Sequence, residues 1–280
     1  MTSDPAVAVR PGEHACCRFV LGEDRRRVAA ALVREGLRRG DRVIYLHDGD
    51  DLAAFSSELV ALDDGIGPAL TIGQLVIRSA ATAYAPDGTF RVDQMLESLL
   101  EDFDGSLAAG YAGTTIIGEM GAAFRRVGGA ERLEEYERRL DGLRFSGSLR
   151  LCQYDHDEFE ADVLSALTKW HDADLAPDLA AIGRSGSLAA ARLRGGWLRL
   201  AGELDFEQAA GLGEVLAPDD GDELRFELAD LRYVDVAGLR SLRGDRGQRV
   251  RIAGASAAVE RLAELLAWDT DPSVALVEGV

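Results

Sequence analysis

Apolar strands and amphipathic helices alternate through the first part of this 280-residue chain, and this alternation restricts the fold more than any other feature. Arg42–Leu46, Thr114–Ile117 and Leu149–Tyr154 are short apolar runs of the kind that form buried strands. Val28 and Leu32 have the spacing of one helix face, between a candidate first strand that ends at Leu21 and the strand Arg42–Leu46. Strand and helix alternate with short connections, which predicts a doubly wound parallel α/β sheet.

Polar residues follow three of these strands. They are His47-Asp48, Gly118-Glu119 and Gln153-Tyr154-Asp155. In open parallel sheets, ligands bind beyond the carboxyl ends of the strands. We therefore expect the binding site of the first part of the chain at these strand ends. An aspartate after a strand also often caps the next helix.

The organisation changes after Trp170. Residues 173–187 are rich in Asp, Ala, Gly and Ser and predict a linker. Ala190–Arg194, Gly195-Gly196 and Trp197–Leu200 then predict a hairpin. We predict a flexible N-terminus at 1–11, a first domain at 12–172, the linker, and a smaller α/β domain at 188–280.

Composition excludes several classes of protein. A net charge of −18 argues against a nucleic-acid partner, since such binding depends on neutralising phosphates. The chain has only three cysteines, and an odd number cannot all pair with one another, so they do not indicate a disulfide framework. We find neither a signal peptide nor an apolar run near the roughly 20 residues that span a bilayer. These observations predict a cytoplasmic protein without a membrane partner.

Lys169 is the only lysine, and this count limits the chemistry. A phosphate-binding loop requires Gly-Lys-Ser/Thr, whereas Lys169 lies between Thr168 and Trp170. A lysine Schiff base would also have to use this residue. Both mechanisms are disfavoured.

One stretch of the second domain resembles the signature of the STAS domain, the fold of bacterial anti-sigma-factor antagonists. The matching residues are Asp230, Leu231, Tyr233, Val234, Asp235, Gly238 and Leu239. The resemblance implies a protein-binding surface, formed by Asp235, Val236, Ala237, Gly238 and Leu239. The partner it implies is an anti-sigma factor or a regulator of the serine-kinase type.

Val236 occupies the position that the STAS family phosphorylates on serine or threonine. A phosphate there would meet the free N–H groups of a helix start and would add about −1.5 to −2 charge. Valine has no hydroxyl group. We therefore predict that this position cannot be phosphorylated and that the usual switch is lost.

The first domain resembles the MEDS domain, a sensory domain of methanogens and methylotrophs. The collinear markers are His14 with Cys16, Gly88-Thr89-Phe90, Gly118-Glu119-Met120, Tyr136-Glu137 and Leu151–Asp155. The chain departs from the family pattern at Gly121-Ala122-Ala123, where tryptophan is frequent, and at His171-Asp172, where proline usually follows the histidine.

This second resemblance implies a RecA-like core without the phosphate-loop lysine. Glu119 then takes the place of the acid that would bind Mg²⁺ or activate water in a related ATPase. The candidate residues for ligand sensing are His14, Cys16, Glu119, Tyr154 and Asp155.

A metal site and a catalytic site are two further possibilities. His14, Cys16, Cys152 and His156 offer zinc ligands, but His-x-Cys is not a usual zinc spacing, and a buried cysteine is ordinarily a small apolar residue. Glu119 has no assigned second carboxylate, and the chain contains no Gly-x-Ser-x-Gly elbow. We predict no metal, no cofactor and no catalytic residue.

The sequence thus predicts a non-enzymatic bacterial signalling protein that acts in transcription regulation. The first domain would sense a small molecule or a redox state, and the second would bind a protein. Two alternatives remain: a RecA-like enzyme that binds or hydrolyses nucleotides, and a scaffold without a ligand.

Overall fold

A computed structural model describes residues 7–121, 127–143, 147–179, 182, 187–216, 221–243 and 247–279. The chain divides into two compact units. One comprises Val9–Asp174, and the other comprises Met1–Ala8 with Leu175–Val280.

A parallel sheet forms the centre of the unit Val9–Asp174. Its strands are β1 (His14–Phe19), β2 (Arg42–His47), β3 (Leu75–Ser79), β4 (Thr114–Glu119) and β5 (Leu149–Asp155). They lie in the order β1-β5-β4-β2-β3, and every neighbouring pair is parallel. This confirms the doubly wound α/β class that the alternation predicts.

Helices connect successive strands. They are α1 (Gly22–Arg39), α2 (Leu52–Leu62), α3 (Ile66–Ile72), α4 (Ala80–Tyr84), α5 (Val92–Ala108), α6 (Leu133–Asp141) and α7 (Ala161–Thr168), with a 3₁₀ turn at Ala130–Arg132. The apolar face of α5 buries Met95, Leu99 and Phe103, whereas Leu107 at its end is exposed. The α5 and α6 side of the sheet carries one continuous core that includes Cys16, Ile44, Ile116 and Cys152.

The other unit is also built on a sheet, with strands in the order β7-β8-β9-β10-β11. These are β7 (Leu188–Leu193), β8 (Trp197–Leu204), β9 (Glu223–Val234), β10 (Arg249–Ala253) and β11 (Val274–Val277). The β7–β8 pair is antiparallel and the remaining pairs are parallel. The helices are α8 (Phe206–Leu216), α9 (Val236–Ser241) and α10 (Ala257–Leu265).

The predicted hairpin forms as expected. Leu193 pairs with Trp197, and Gly195 and Gly196 between them have φ angles of 81° and 78°. This left-handed conformation costs glycine little and other residues more. The sequence therefore identifies this turn through a specific backbone requirement.

The predicted linker contributes to the core, which corrects the sequence-based view of residues 173–187. A short strand, β6 (Ala173–Leu175), lies where the chain passes from one unit to the other. Ala176, Leu179 and Ile182 are buried in the core of the second unit. Their apolar side chains lose water contact on packing, so they do not behave as a solvated spacer. Residues 180–181 and 183–186 lie outside the described residues.

The N-terminal segment also differs from the expected flexible start, of which residues 1–6 lie outside the described residues. Ala8 and Val9 are buried. The carbonyl of Ala8 accepts a hydrogen bond of 3.3 Å from the Arg199 guanidinium, which also forms a buried ion pair of 2.8 Å with Glu227. The hydrogen bond satisfies a buried donor of Arg199 and holds the Ala8 backbone in place.

Within the described ranges, no helix combines the length and the apolar character needed to cross a membrane.

Candidate functional site

Polar side chains are buried on both faces of the sheet in the unit Val9–Asp174. Successive residues of a strand point to opposite faces. In β5, Cys152 and Tyr154 therefore point to one face and Gln153 to the other. Two separate polar groups result, one around Glu119 and one around Glu137.

The group around Glu119 lies at the carboxyl ends of β2 and β4 and is called the Glu119 network here. The Tyr45 hydroxyl donates to Oε1 at 2.6 Å, and His47 Nδ1 lies 3.1 Å from Oε2. The backbone N–H of Asp48 donates to Oε2 at 2.9 Å, and a guanidinium nitrogen of Arg25 lies 2.7 Å from the same oxygen. The buried carboxylate is thus held by donors from β2, the following loop and α1.

These donors determine the ionisation of Glu119. Burial alone would raise its pKa, but the hydrogen bond from His47, the Arg25 charge and the hydrogen bond from Tyr45 together bring the pKa below its ordinary value. Burial and the adjacent Glu119 charge raise the pKa of Tyr45 well above its usual range. The pair at neutral pH is therefore a carboxylate with a phenol donor.

An open cleft of about 300 Å³ lies beside this network. The His47 ring stacks on Phe55, with ring centroids 3.9 Å apart. The lining combines cationic, acidic and apolar groups: Arg25, Arg26, His47, Gly49, Asp51, Ala54, Phe55 and Glu58. Such a mixture suits a small polar molecule better than a purely apolar one.

The second group, called the Glu137 cluster here, lies on the opposite face and joins β1, α6, β5 and the residues after α7. His14 Nε2 lies 3.2 Å from Glu137 Oε2 and 3.4 Å from Cys152 Sγ. His171 Nε2 lies 3.5 Å from the same Glu137 oxygen. The Tyr154 hydroxyl donates to the other oxygen, Oε1. The side chains of all these residues are buried.

Burial dominates the protonation of this cluster. It lowers the pKa of His14 and of His171 to about 3, with a further contribution to His14 from the Arg150 charge and to His171 from His14. It raises the pKa of Glu137 and, together with the Glu137 charge, that of Cys152 well above its usual range. Each group on its own thus favours the neutral form.

The structure separates the predicted sensing residues. It places His14 and Tyr154 in the Glu137 cluster and Glu119 in the other network. Cys16 Sγ donates instead to Asp174 at 3.4 Å. Asp155 accepts from the backbone N–H of Asp157 at 3.0 Å and thus caps a turn, the simpler role that a strand-end aspartate often has.

The metal candidates separate in a similar way. His14 and Cys152 lie together, whereas Cys16 contacts Asp174 and His156 is exposed. Glu137 and His171 lie beside His14 and Cys152, and neither was predicted as a site residue. Glu137 belongs to the collinear markers of the first domain, and His171 is the histidine after which the family usually has proline; these were the available signals. Their proximity depends on packing between segments far apart in the chain.

The start of α9 is the notable feature of the other unit. Asp235 is the N-cap: its Oδ1 accepts from the backbone N–H of Gly238 at 2.7 Å. Its Oδ2 accepts from the backbone N–H of Phe206, the first residue of α8, at 3.2 Å. One carboxylate therefore satisfies free donors at two helix starts.

Apolar side chains next to this carboxylate are exposed. Val236 is 41% exposed, Tyr233 54% and Phe206 74%. Gly238 and Leu239, which were predicted to take part in partner binding, are buried. They lie beneath this surface. Val236 and the partly exposed Asp235 and Ala237 are the accessible members of the predicted set.

Two family models match the chain. The model described as MEDS, MEthanogen/methylotroph, DcmR Sensory domain, matches residues 13–172. The model described as Mlab, STAS domain, matches residues 187–278. No match was found among the curated proteins.

Among solved structures, the flagellar accessory protein FlaH from Methanocaldococcus jannaschii aligns with a TM-score of 0.44 and 15% identity. The alignment covers 60% of this chain and 72% of that chain. A KaiC-like protein from Pyrococcus horikoshii aligns with a TM-score of 0.43 and 10% identity, over 59% of this chain and 70% of that chain.

Proposed function

Because this chain belongs to the MEDS family and carries a STAS domain after its sensory domain, we propose that it couples small-molecule sensing to protein binding. The observation that carries the proposal is this succession of a sensory domain and a protein-binding domain in one chain. The two domains support a signalling or regulatory role in general. The ligand, the partner and the absence of catalysis are the specific parts of the proposal.

The cleft beside the Glu119 network is the proposed ligand site. It lies at the carboxyl ends of parallel strands, where ligands of such sheets bind. Arg25 and His47 contact Glu119 and also line the cleft. A ligand that binds either side chain would change the environment of the buried carboxylate, which supplies a route from binding to a structural response.

Several features argue against nucleotide hydrolysis in this domain. The connection between β1 and α1 is only Val20-Leu21, which is too short for a loop that surrounds phosphates. The single lysine, Lys169, lies after α7, and its Nζ is 2.8 Å from Glu134 Oε1. Glu119 is held by donors on both carboxylate oxygens, so it serves a structural or ligand-responsive role.

The cysteines favour a small molecule over a redox signal. Cys16, Cys17 and Cys152 are all buried as free thiols. Burial raises the pKa of Cys17 to about 12 and those of the other two well above their usual range. Oxidation proceeds through an accessible thiolate, and these thiols offer neither accessibility nor thiolate character.

The STAS domain is proposed to bind an anti-sigma factor or a regulator of the serine-kinase type. Its surface would consist of the exposed Phe206, Tyr233 and Val236 around Asp235. Exposed apolar groups beside a helix start suit an interface that excludes water. Because Val236 has no hydroxyl, phosphorylation at this position cannot release the partner.

The sensing half is tested by native mass spectrometry of the protein purified from its own host. We expect a co-purified small molecule on the wild type and on an Ala61→Trp control, because Ala61 lies on α2 outside the cleft. Ala54→Trp fills the cleft and should abolish the extra mass. Retention of the molecule in Ala54→Trp would contradict this choice of site.

The binding half is tested by pull-down of the host's purified anti-sigma factors and serine-kinase-type regulators. We expect at least one to bind the full chain, and Val236→Asp to weaken it by placing a charge in the apolar contact. A carboxylate at a helix start is compatible with the fold. Binding of none of these regulators would contradict the proposed partner class.

A further inference from the structure

We propose that His14, Glu137, Cys152 and His171 bind one zinc ion inside the sensory domain. This inference is independent of the proposed ligand cleft, because the Glu137 cluster lies on the opposite face of the sheet. It also reverses the expectation of a metal-free chain, which rested on the spacing of His14 and Cys16 and on the ordinary apolar role of a buried cysteine.

Four of the six distances between the donor atoms are close to those around a tetrahedral ion. Zinc lies about 2.0–2.2 Å from nitrogen or oxygen and about 2.3 Å from sulfur, so tetrahedral donors are about 3.3–3.6 Å apart. Glu137 Oε2 lies 3.2 Å from His14 Nε2 and 3.5 Å from His171 Nε2. Cys152 Sγ lies 3.4 Å from His14 Nε2 and 3.7 Å from Glu137 Oε2. All four donor atoms lie within 4.8 Å of one another.

Contacts outside the donor set orient two of these ligands. His171 Nδ1 lies 3.0 Å from the carbonyl oxygen of Leu167, which favours a proton on Nδ1 and leaves the Nε2 lone pair for an ion. The Tyr154 hydroxyl donates to Glu137 Oε1 and leaves Oε2 directed at the donor set. Protein zinc sites use this kind of outer hydrogen bond to fix their ligands.

A bound cation would also compensate the negative charge of the buried carboxylate in the cluster. Glu137 is fully buried, and a buried carboxylate is costly unless it is paired with a cation. Zinc would favour the carboxylate and thiolate forms and neutral imidazoles, so the two negative ligands would balance its charge. The four groups then act as ligands rather than as unrelated buried polar residues.

The donor set also indicates which metal would bind and what role that metal would have. Two imidazoles, one thiolate and one carboxylate in a tetrahedral arrangement suit zinc better than the hard ions Mg²⁺ or Ca²⁺. Four protein ligands leave no open position, which is typical of a structural site. Zinc would hold together β1, α6, β5 and the residues following α7, which come from both ends of the first unit.

The test uses the full-length protein and the metals themselves. Elemental analysis after expression with added zinc should give about one equivalent per chain for a single site. Titration of chelator-treated protein with Co²⁺ should give a sulfur-to-cobalt charge-transfer band and the intense visible bands of tetrahedral cobalt. Zinc should then displace cobalt and remove these bands.

Variants identify the ligands, and the chain offers a matched control. Cys152→Ser should remove the charge-transfer band, whereas Cys16→Ser should keep it. Cys16 is equally buried, is the register partner of Cys152 on β1, and points its thiol at Asp174. Tyr154→Phe should keep the band and weaken zinc affinity about 10- to 100-fold, as loss of an outer hydrogen bond does. Circular dichroism verifies that each variant is folded.

The wild-type titration decides the proposal even if a variant fails to fold. Folded wild-type protein that contains no zinc and gives no charge-transfer band with Co²⁺ would overturn it. A band that survives in folded Cys152→Ser and disappears in Cys16→Ser would equally overturn the assigned ligands. Neither result depends on the ligand cleft or on the STAS partner.

Discussion

Gly238 allows α9 to approach the end of β8 closely. A Cβ atom at this position would lie 2.1 Å from the carbonyl oxygen of Leu204, a backbone atom that cannot rotate away. The position therefore requires glycine for space rather than for backbone conformation. This explains at atomic level why the Asp-x-x-Gly-Leu segment carries glycine here.

We expect Gly238→Ala to destabilise the protein by roughly 1–3 kcal/mol, the usual cost of forcing atoms into a packed site. Gly211→Ala is the control, because Gly211 lies within α8 and a Cβ there meets nothing within 4 Å. It should be neutral or stabilising by up to about 1 kcal/mol. Urea unfolding measures both, and equal effects of the two substitutions would refute the packing argument.

Glu119 should make stability depend on pH. Burial opposes its charge, but His47, Arg25 and Tyr45 lower its folded-state pKa below the ordinary 4.5. Above pH 4.5 its carboxylate stabilises the folded state. As the pH falls towards the lowered folded-state pKa, the unfolded chain binds a proton that the folded chain does not, and this stabilisation is lost.

Glu119→Gln should therefore be less stable than the wild type at pH 7, and the difference should shrink as the pH falls below about 4.5. Unfolding curves at several pH values provide the measurement. A difference between the two proteins that stays constant down to pH 3 would show that the Glu119 charge is not what stabilises the network.

At the scale of elements, Asp235 joins two helices. It accepts from backbone N–H groups at the starts of both α8 and α9. Loss of an ordinary N-cap costs about 0.5–2 kcal/mol. We expect Asp235→Ala to fall at the upper end of this range.

Ser256→Ala provides the comparison within the same unit. Ser256 caps α10 and accepts from the single backbone N–H of Val259, at 3.4 Å. Its loss should cost less than that of Asp235 in the same thermal or urea unfolding experiment. A larger loss for Ser256→Ala would argue against the double role of Asp235.

The sequence predicts elements whose local pattern matches their environment. β2, β4 and β5 are buried on both faces and therefore show continuous apolar runs, while Gly195-Gly196 identifies the hairpin turn. β11 is also a short apolar run, Val-Ala-Leu-Val, but it was not predicted as a strand; it lies at the sheet edge with Leu276 exposed. The apolar residues of the predicted linker were too scattered along the chain to indicate burial.

The candidate sites are harder to predict for a related reason. Glu119 could be recognised because it ends a buried strand. The Glu137 cluster combines β1, α6, β5 and the residue His171, and only tertiary packing brings these segments together. No spacing rule along one segment could have joined Glu137 and His171 to His14.

At the scale of the whole molecule, the family matches confirm the predicted succession of domains, a MEDS domain followed by a STAS domain. The proposed role excludes nucleotide hydrolysis. We therefore expect calorimetric titration with ATP and Mg²⁺ to give no binding heat, and phosphate-release assays to give no turnover. Clear ATP binding that Glu119→Gln abolishes would favour the RecA-like enzyme instead.

Affinity purification from the native host, followed by mass spectrometry of bound proteins and metabolites, tests the central claim most directly. Wild-type protein and Leu265→Asp, an exposed α10 control, should retain a small molecule and an anti-sigma factor or serine-kinase-type regulator. Val236→Asp should keep the small molecule and lose the regulator. Wild-type protein that carries neither a small molecule nor such a regulator would contradict the account.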